Sequence, residues 1–190
     1  MRLILASASP RRLDLLARVG VVPDAVAPAE IDESVPNGEL PRDHALRLAR
    51  EKAEAIARLE PDALVLAADT VVAVGRRILP KVEDETTLRA CMKLLSGRRH
   101  RVLTGVALAV PGSGIRERLG ETMIAMKRLS DDEIDYSVGH GEWRGKAGGY
   151  ALQGYGEVYV RHIAGSYSNV VGLPLAETRL LLKSAGYDIA

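Results

Sequence analysis

The amino-acid sequence predicts an α/β fold built around a mixed β-sheet. Largely apolar runs, such as Ala63 to Ala68 and Arg101 to Val110, are typical of buried strands. They alternate with segments in which apolar residues recur every three or four positions, the spacing of a helix that buries one face. A Pro-Gly-Ser-Gly turn after Val110 indicates a hairpin, so antiparallel pairs join helix-connected strands in one sheet.

The first predicted unit is a short strand from Leu3 to Ala6, a serine loop and a helix. Ser9 is a natural N-cap, and Pro10 suits the first helical position, where its missing N–H has no partner to lose. Free helix N–H groups, two hydroxyls and two guanidinium groups form a candidate oxyanion receptor. Its side chains are Ser7, Ser9, Arg11 and Arg12. The alternative interpretation is that the serines only cap the helix.

Two charged residues stand out in the apolar elements that follow. A long helix is predicted from Pro41 to about Leu59, and Lys52 lies on its largely apolar face. That lysine is either a snorkelling side chain or a cation that faces a ligand pocket. Asp69 is predicted at the carboxyl end of the Ala63 to Ala68 run, and Val71 to Val74 are expected to continue the strand. Its carboxylate is either a functional group or a structural ion-pair partner.

The remaining elements follow from turn and capping signals. Asp84 or Thr86 begins a helix that ends near Gly97, and Ser130 begins a capping-box helix that ends at Gly139. The other predicted elements are strands at 21–27, 115–127 and 157–163, a polar loop at 165–169, and a helix from Leu173-Pro174 to Gly186.

Composition excludes several classes of protein. The net charge of +1 and the aromatic content of 4% argue against a nucleic-acid partner. No apolar run approaches the length of a membrane span, so no membrane partner is expected. A single cysteine, Cys91, is typical of the reducing cytoplasm. The 190 residues contain no linker or repeat, so residues 1–190 are expected to form one domain.

The residues with chemical potential are phosphate ligands and carboxylates. Lys52, Lys81 and Lys146 are candidate pocket cations, and Glu30, Glu33 and Asp69 are candidate carboxylates. This combination suits a polyphosphate carried with a hard divalent ion such as Mg²⁺, because one or two carboxylates and the phosphates complete its oxygen shell. There is no P-loop, no G-x-G-x-x-G motif and no Cys/His spacing for zinc.

Six motifs, in their order along the chain, resemble those of the Maf family of nucleoside triphosphate pyrophosphatases. The motifs begin with LASASPRR (5–12), LAREKA (48–53) and ADTVV (68–72), and continue with LLSG (94–97), GKAGGY (145–150) and GSYSNVVGLP (165–174). The resemblance implies two lobes with a central cleft, as in inosine triphosphatases. It also implies hydrolysis between the α- and β-phosphates, with a divalent metal cation, Mg²⁺ or Mn²⁺, as cofactor.

The resemblance assigns roles to particular residues. It implies that Asp69 accepts a proton from the attacking water and that Glu33 and Asp69 lie at the metal. The implied substrate-binding residues are Ser7, Ser9, Arg11, Arg12, Lys52, Thr70, Lys81 and Gln153. Among them, Arg11, Thr70 and Gln153 match positions implicated in substrate choice. In place of the family's usual Gly-Lys-Pro, this chain has Pro80-Lys81-Val82.

The form of the glycine-rich motif is similar to the subgroup that acts on dTTP and UTP. The Gln153 amide offers a donor and an acceptor, which can pair with the carbonyl and ring N–H of a pyrimidine. Two alternatives stay open: the same chemistry on 7-methyl-GTP or inosine triphosphate, and a nucleotide-binding regulator of division without turnover. The resemblance also suggests a homodimer. All of these expectations require Ser9 and Asp69 to share one cleft.

Overall fold

The computed structural model describes residues 1–189, which form a mixed sheet with helices packed on its faces. The strands are β1 (Leu3–Leu5), β2 (Ala25–Val26), β3 (Leu64–Val74), β4 (Arg77–Leu79), β5 (Lys81–Val82), β6 (Arg99–Val110), β7 (Gly114–Met126), β8 (Lys146–Ala147) and β9 (Val160–Ala164). The helices are α1 (Pro10–Ala17), α2 (Pro41–Ala57), α3 (Glu85–Leu95), α4 (Asp131–His140), α5 (Tyr167–Val171) and α6 (Leu175–Ser184).

The main sheet has the order β2-β1-β3-β6-β7-β9, with β4 paired to the far end of β3. Strand β1 is parallel to β2 and β3, because helices connect them, whereas the other pairs are antiparallel. A separate two-stranded ribbon joins β5 to β8. The predicted α/β fold with a mixed sheet flanked by helices is therefore confirmed.

Alternating side chains build two cores at one end of the sheet. On one face, leucines of β1 and β3 pack with leucines of α1 and α6. On the other face, Ile4, Val65 and Ala67 pack with the small residues Ala49 and Ala53 of α2. This end of the molecule is the first lobe, and its layers follow from the two-residue period of the strands.

The second lobe has its own core at the opposite end of the long strands. Val72, Val82, Leu88 and Met92 pack with aromatic side chains from the glycine-rich segment, including Tyr150. Because β3, β6 and β7 run through both lobes, the lobes share one sheet and are held at a fixed separation. The cleft that the resemblance implies lies between them.

Helix α2 approaches the sheet closely because a glycine makes room for it. A Cβ atom on Gly105 of β6 would lie 2.3 Å from the carbonyl oxygen of Ala45, a distance that no side chain tolerates. Gly105 is also the cross-strand partner of Asp69. The close approach of α2 therefore brings its buried Lys52 to the Asp69 region of the sheet.

Four sequence expectations were wrong in their bounds. Helix α4, expected to end at Gly139, runs to His140 and is capped by the left-handed Gly141. The strand expected at 21–27 is limited to Ala25–Val26, which is consistent with the lack of a donor at Pro23. The strand expected from Glu157 begins at Val160, because Tyr155–Tyr159 form a 3₁₀ helix. The expected polar loop at 165–169 contains the start of α5, for which the Ser166 side chain accepts the cap hydrogen bond. Within residues 1–189, no helix is both long and apolar enough to cross a membrane.

Candidate active site

A cavity of about 400 Å³ lies between the two lobes. Every residue to which the resemblance assigns a role lines it: Ser7, Ser9, Arg11, Arg12, Glu33, Lys52, Asp69, Thr70, Lys81 and Gln153. Ser9 and Asp69 thus share one cleft, as the account requires. Glu33 lines the cavity and Glu30 does not, so of the two candidate carboxylates it is Glu33 that faces the cleft.

Lys52 joins two carboxylates at the bottom of the cleft. Its Nζ donates to Oδ1 of Asp69 at 2.6 Å and lies 2.6 Å from Oε1 of Glu33. The side chains of Lys52 and Asp69 are 10% and 7% exposed, whereas that of Glu33 is 36% exposed. Lys52 is therefore a pocket-facing cation and not a snorkelling side chain.

Glu33 is bound by two lysines, since Lys81 also donates to its carboxylate. Partial burial raises the pKa of Glu33, but the hydrogen bonds and charges of Lys52 and Lys81 outweigh it and lower that pKa to about 2. Glu33 is therefore ionised at neutral pH. The displaced proline beside Lys81 leaves this lysine within the cavity lining.

Asp69 lies within strand β3, and the expected continuation of this strand through Val71 to Val74 is confirmed. Strand β3 runs on to Val74 because its pairing with β6 continues past Asp69. The neighbouring strand β1, in contrast, pairs with β3 only as far as Leu66. The carboxylate thus lies just beyond the end of β1, where the sheet opens into the cleft.

Arg12 is fixed in the cleft by neutral groups alone. Its Nη1 donates to Ser7 Oγ at 2.9 Å and its Nε donates to the carbonyl oxygen of Gly172 at 2.8 Å. Burial lowers the pKa of Arg12, because removal from water disfavours the charged guanidinium group. Its hydrogen-bond partners within residues 1–189 are all neutral. A bound oxyanion would compensate this buried charge.

The serine loop leaves one hydroxyl available. Ser7 Oγ accepts from the backbone N–H of Ser9 at 3.1 Å, so Ser7 shapes the loop. Ser9 occupies the predicted N-cap position of α1, but its side chain makes no cap hydrogen bond. The Ser9 hydroxyl therefore lines the cavity ready for a ligand.

A hydroxyl chain beneath Arg12 was missed by sequence reasoning. Thr70 Oγ1 lies 3.5 Å from Arg12 Nη2 and 3.0 Å from Thr104 Oγ1, and Thr104 donates to the carbonyl of Asn169 at 2.9 Å. The only sequence signal for Thr104 is a hydroxyl in an otherwise apolar strand. The chain connects Arg12 to α5 and so to the last motif.

The opposite wall comes from the glycine-rich segment. Gln153 is exposed within the cavity lining, and Tyr150 beneath it donates to or accepts from Nε2 of buried His100 at 2.6 Å. Glu83, which sequence reasoning also missed, contributes a third carboxylate to the lining. This wall presents the Gln153 amide to the cavity and is anchored in the core of the second lobe.

The carboxylates of the cavity suit a hard cation only when a phosphate-bearing ligand supplies further oxygen atoms. Among residues 1–189, no group of three His, Cys, Asp or Glu side chains is arranged to hold a metal ion. Glu33 and Asp69 supply carboxylate oxygens that approach the same lysine nitrogen. Two carboxylates with phosphate oxygens are the usual shell of protein-bound Mg²⁺.

Comparison with known proteins agrees with the motifs. Residues 2–185 match the family model described as Maf-like protein. A dTTP/UTP pyrophosphatase of Novosphingobium aromaticivorans is 59% identical over 187 residues, covering 98% of this chain and 93% of that protein. One from Caulobacter vibrioides is 60% identical over 185 residues, covering 97% and 96%. A solved structure of a nucleoside-triphosphatase / dITP/XTP pyrophosphatase from Mycobacterium abscessus aligns with 68% of this chain and 76% of its own, at 22% identity and a TM-score of 0.44. The chain belongs to the Maf family.

Proposed function

We propose that this protein hydrolyses dTTP and UTP, including modified pyrimidine nucleotides, to the nucleoside monophosphate and pyrophosphate. Relatives at 59–60% identity over nearly the whole chain carry the name dTTP/UTP pyrophosphatase. The observation that carries the proposal is the pairing of Asp69 with Lys52 in the same cavity as the Arg12 and Ser9 receptor. A binding module has no need of a buried carboxylate beside its phosphate ligands.

The reaction follows from the positions of these groups. Arg12 and the serine loop bind phosphate oxygens, and the Asp69 carboxylate orients a water towards the α-phosphorus. As the new P–O bond forms, Asp69 takes the proton, and the bond to the bridging oxygen breaks with its electrons leaving on pyrophosphate. Lysine and arginine charges stabilise the negative charge that spreads over the phosphates.

A divalent cation, Mg²⁺ or Mn²⁺, is part of the proposal. Glu33 and Asp69 would hold it, since both are oxygen donors at one point of the cleft and Glu33 is ionised at neutral pH. When bound, the cation neutralises charge on the phosphates and lowers the pKa of a coordinated water.

The base is selected by the second lobe in this proposal. Gln153 presents both a donor and an acceptor to the cavity, which fits the carbonyl and ring N–H of uracil or thymine. Arg11 and Thr70 contribute to substrate choice from the other wall. Hypoxanthine also carries a carbonyl beside a ring N–H, so a turnover comparison, and not the Gln153 pairing by itself, separates inosine triphosphate from dTTP and UTP.

The proposal also includes a cytoplasmic location and a homodimer. A cytoplasmic location is supported by the unpaired, buried Cys91. The homodimer is supported only by the family resemblance and is checked by sedimentation equilibrium.

The test is a turnover panel read by pyrophosphate release. Wild type and Asp69→Asn are assayed on dTTP, UTP, dCTP, 7-methyl-GTP and inosine triphosphate with Mg²⁺ or Mn²⁺. Asp69→Asn is expected to lose at least a hundredfold in kcat, the usual range for removing a general base, while its thermal unfolding stays cooperative. Asp62→Asn, an exposed carboxylate change in front of the same strand, is the matched control. Nucleotide binding without turnover in wild type would favour the regulator.

A further inference from the structure

Three of the cations in the cleft are already engaged by protein groups. Within the described chain, five cationic side chains line the cavity: Arg11, Arg12, Lys52, Lys81 and Lys146. Lys52 binds Asp69 and Glu33, Lys81 binds Glu33, and Arg12 donates to the serine loop and to Gly172. For Arg11 and Lys146, the described residues supply neither a side-chain hydrogen bond nor an ion pair.

The cavity carries an excess of positive charge. Three carboxylates, Glu33, Asp69 and Glu83, line it beside the five cations, which leaves two positive charges in excess. Lys52 and Lys81 pair with Glu33 and Asp69, whereas the hydrogen-bond partners of Arg12 among the described residues are neutral. Arg11 and Lys146 are therefore, together with Arg12, the charges that an anionic ligand would neutralise.

Arg11 and Lys146 belong to different walls of the cleft. Arg11 is in the first turn of α1 in the first lobe, and Lys146 is in β8 beside the second lobe. Both side chains line the same cavity, so two like charges border the space where a ligand binds. Partial burial and then the positive charge of Arg11 lower the pKa of Lys146, whereas the charge of Glu142 raises it.

The backbone fixes Lys146 in this position before any ligand binds. Lys146 pairs with Val82 in the β5–β8 ribbon, and the N–H of Gly148 donates to the carbonyl of Pro80 at 3.0 Å. Gly148 and Gly149 follow with φ of +70° and +76°, and a Cβ on Gly149 would lie 2.5 Å from Leu88. The tight turn needs both glycines, so the lysine is held by a rigid segment.

We propose that Lys146 is a further substrate-binding residue, which with Arg11 clamps the terminal β- and γ-phosphates and holds the pyrophosphate that leaves. The inference rests on the proposed function, since it names a subsite of the same cleft. Asp69 lies at the bottom of the cleft with Lys52, so the α-phosphate belongs there and the terminal phosphates extend towards α1. A cation from each wall then contacts the part of the substrate that is released.

The test is calorimetric titration of wild type and variants with inorganic pyrophosphate and with thymidine monophosphate, in magnesium-containing buffer. Lys146→Met is expected to weaken pyrophosphate binding about tenfold or more, the effect of losing one charge-assisted contact. Its affinity for thymidine monophosphate is expected to stay within twofold of wild type. Lys146→Arg is expected to retain pyrophosphate binding, and Lys93→Met, an exposed lysine change on α3, is the control.

Steady-state kinetics with dTTP give a second readout. Lys146→Met is expected to raise KM and the inhibition constant of pyrophosphate together, with a much smaller change in kcat. Unchanged pyrophosphate affinity in Lys146→Met, or an equal loss for the monophosphate, would overturn the clamp. Binding does not require turnover, so a wild-type protein that hydrolyses no nucleotide would refute the proposed function without touching this result.

Discussion

Removing the lysine that joins the two carboxylates provides a sharp test of the site's electrostatics. Lys52→Met keeps the length of the side chain and its contacts with the apolar face of α2. Among the described residues, it removes the only cation that hydrogen-bonds Asp69, whose side chain is 7% exposed and has little access to water. Glu33 keeps Lys81 and is more exposed, so the unpaired charge is mainly that of Asp69.

The magnitude follows from the distances. Each carboxylate oxygen lies 2.6 Å from the same Nζ, so the two oxygens are at most about 5 Å apart. Two unit charges at about 5 Å repel by about 3 kcal/mol at an effective dielectric constant near 20. Breaking a buried pair by removing one partner typically costs about 3–5 kcal/mol. We therefore expect Lys52→Met to lower the free energy of unfolding by about 3 kcal/mol.

The assay is urea unfolding at neutral pH, with a double variant to identify the cause. Asp69→Asn in the Lys52→Met background removes the unpaired charge and is expected to restore about 2 kcal/mol. If Lys52→Met lowers the free energy of unfolding by less than about 1 kcal/mol, the buried ion pair does not have the predicted strength. The same holds if the double variant is no more stable than Lys52→Met.

Three further predictions concern the packing, the base and the pH dependence. Gly105→Ala is expected to lower the free energy of unfolding by about 1–3 kcal/mol in urea, and to lower kcat, because the new methyl group displaces α2. The control is Gly139→Ala, where the added Cβ meets open space. If the two variants are equally stable, the close packing at Gly105 is contradicted. Gln153→Ala is expected to reduce the preference for dTTP over dCTP about tenfold in kcat/KM, and unchanged ratios would remove Gln153 from base selection. Burial lowers the pKa of His100 to about 4 from its ordinary 6.5. Between these two pH values the imidazole is protonated in the unfolded chain and neutral in the folded chain. The free energy of unfolding is therefore unaffected by His100 above pH 6.5, and roughly 3 kcal/mol of it is lost as the pH falls to 4. The urea midpoint of His100→Gln should fall less steeply than that of wild type over this range. Parallel pH profiles of the two proteins would contradict the prediction.

The elements with strong periodicity or continuous apolar runs could be predicted from the sequence. Helix α2 begins at Pro41 as expected, and the capping box at Ser130 begins α4. The predicted ends of strands were wrong where pairing with a strand distant in the sequence determines them. Strand β1 pairs with just Ala25 and Val26 of the strand expected at 21–27, and β9 begins at Val160 because Tyr155–Tyr159 form a 3₁₀ helix.

The sequence could predict which residues gather around the cavity, but not the hydrogen bonds and ion pairs that join them. All ten assigned residues line the cavity, since the motifs that carry them are specific. The sharing of Lys52 between Asp69 and Glu33 depends on the close packing of α2 at Gly105, which only the folded structure reveals. Thr104 and Glu83 carry no motif and were missed for that reason.

The most direct test of the central claim is hydrolysis of dTTP in water enriched in oxygen-18, followed by mass spectrometry of both products. If the water beside Asp69 attacks the α-phosphorus, the label enters thymidine monophosphate and the pyrophosphate stays unlabelled. Label in pyrophosphate, or release of inorganic phosphate in place of pyrophosphate, would contradict the placement of the α-phosphate next to Asp69 and Lys52.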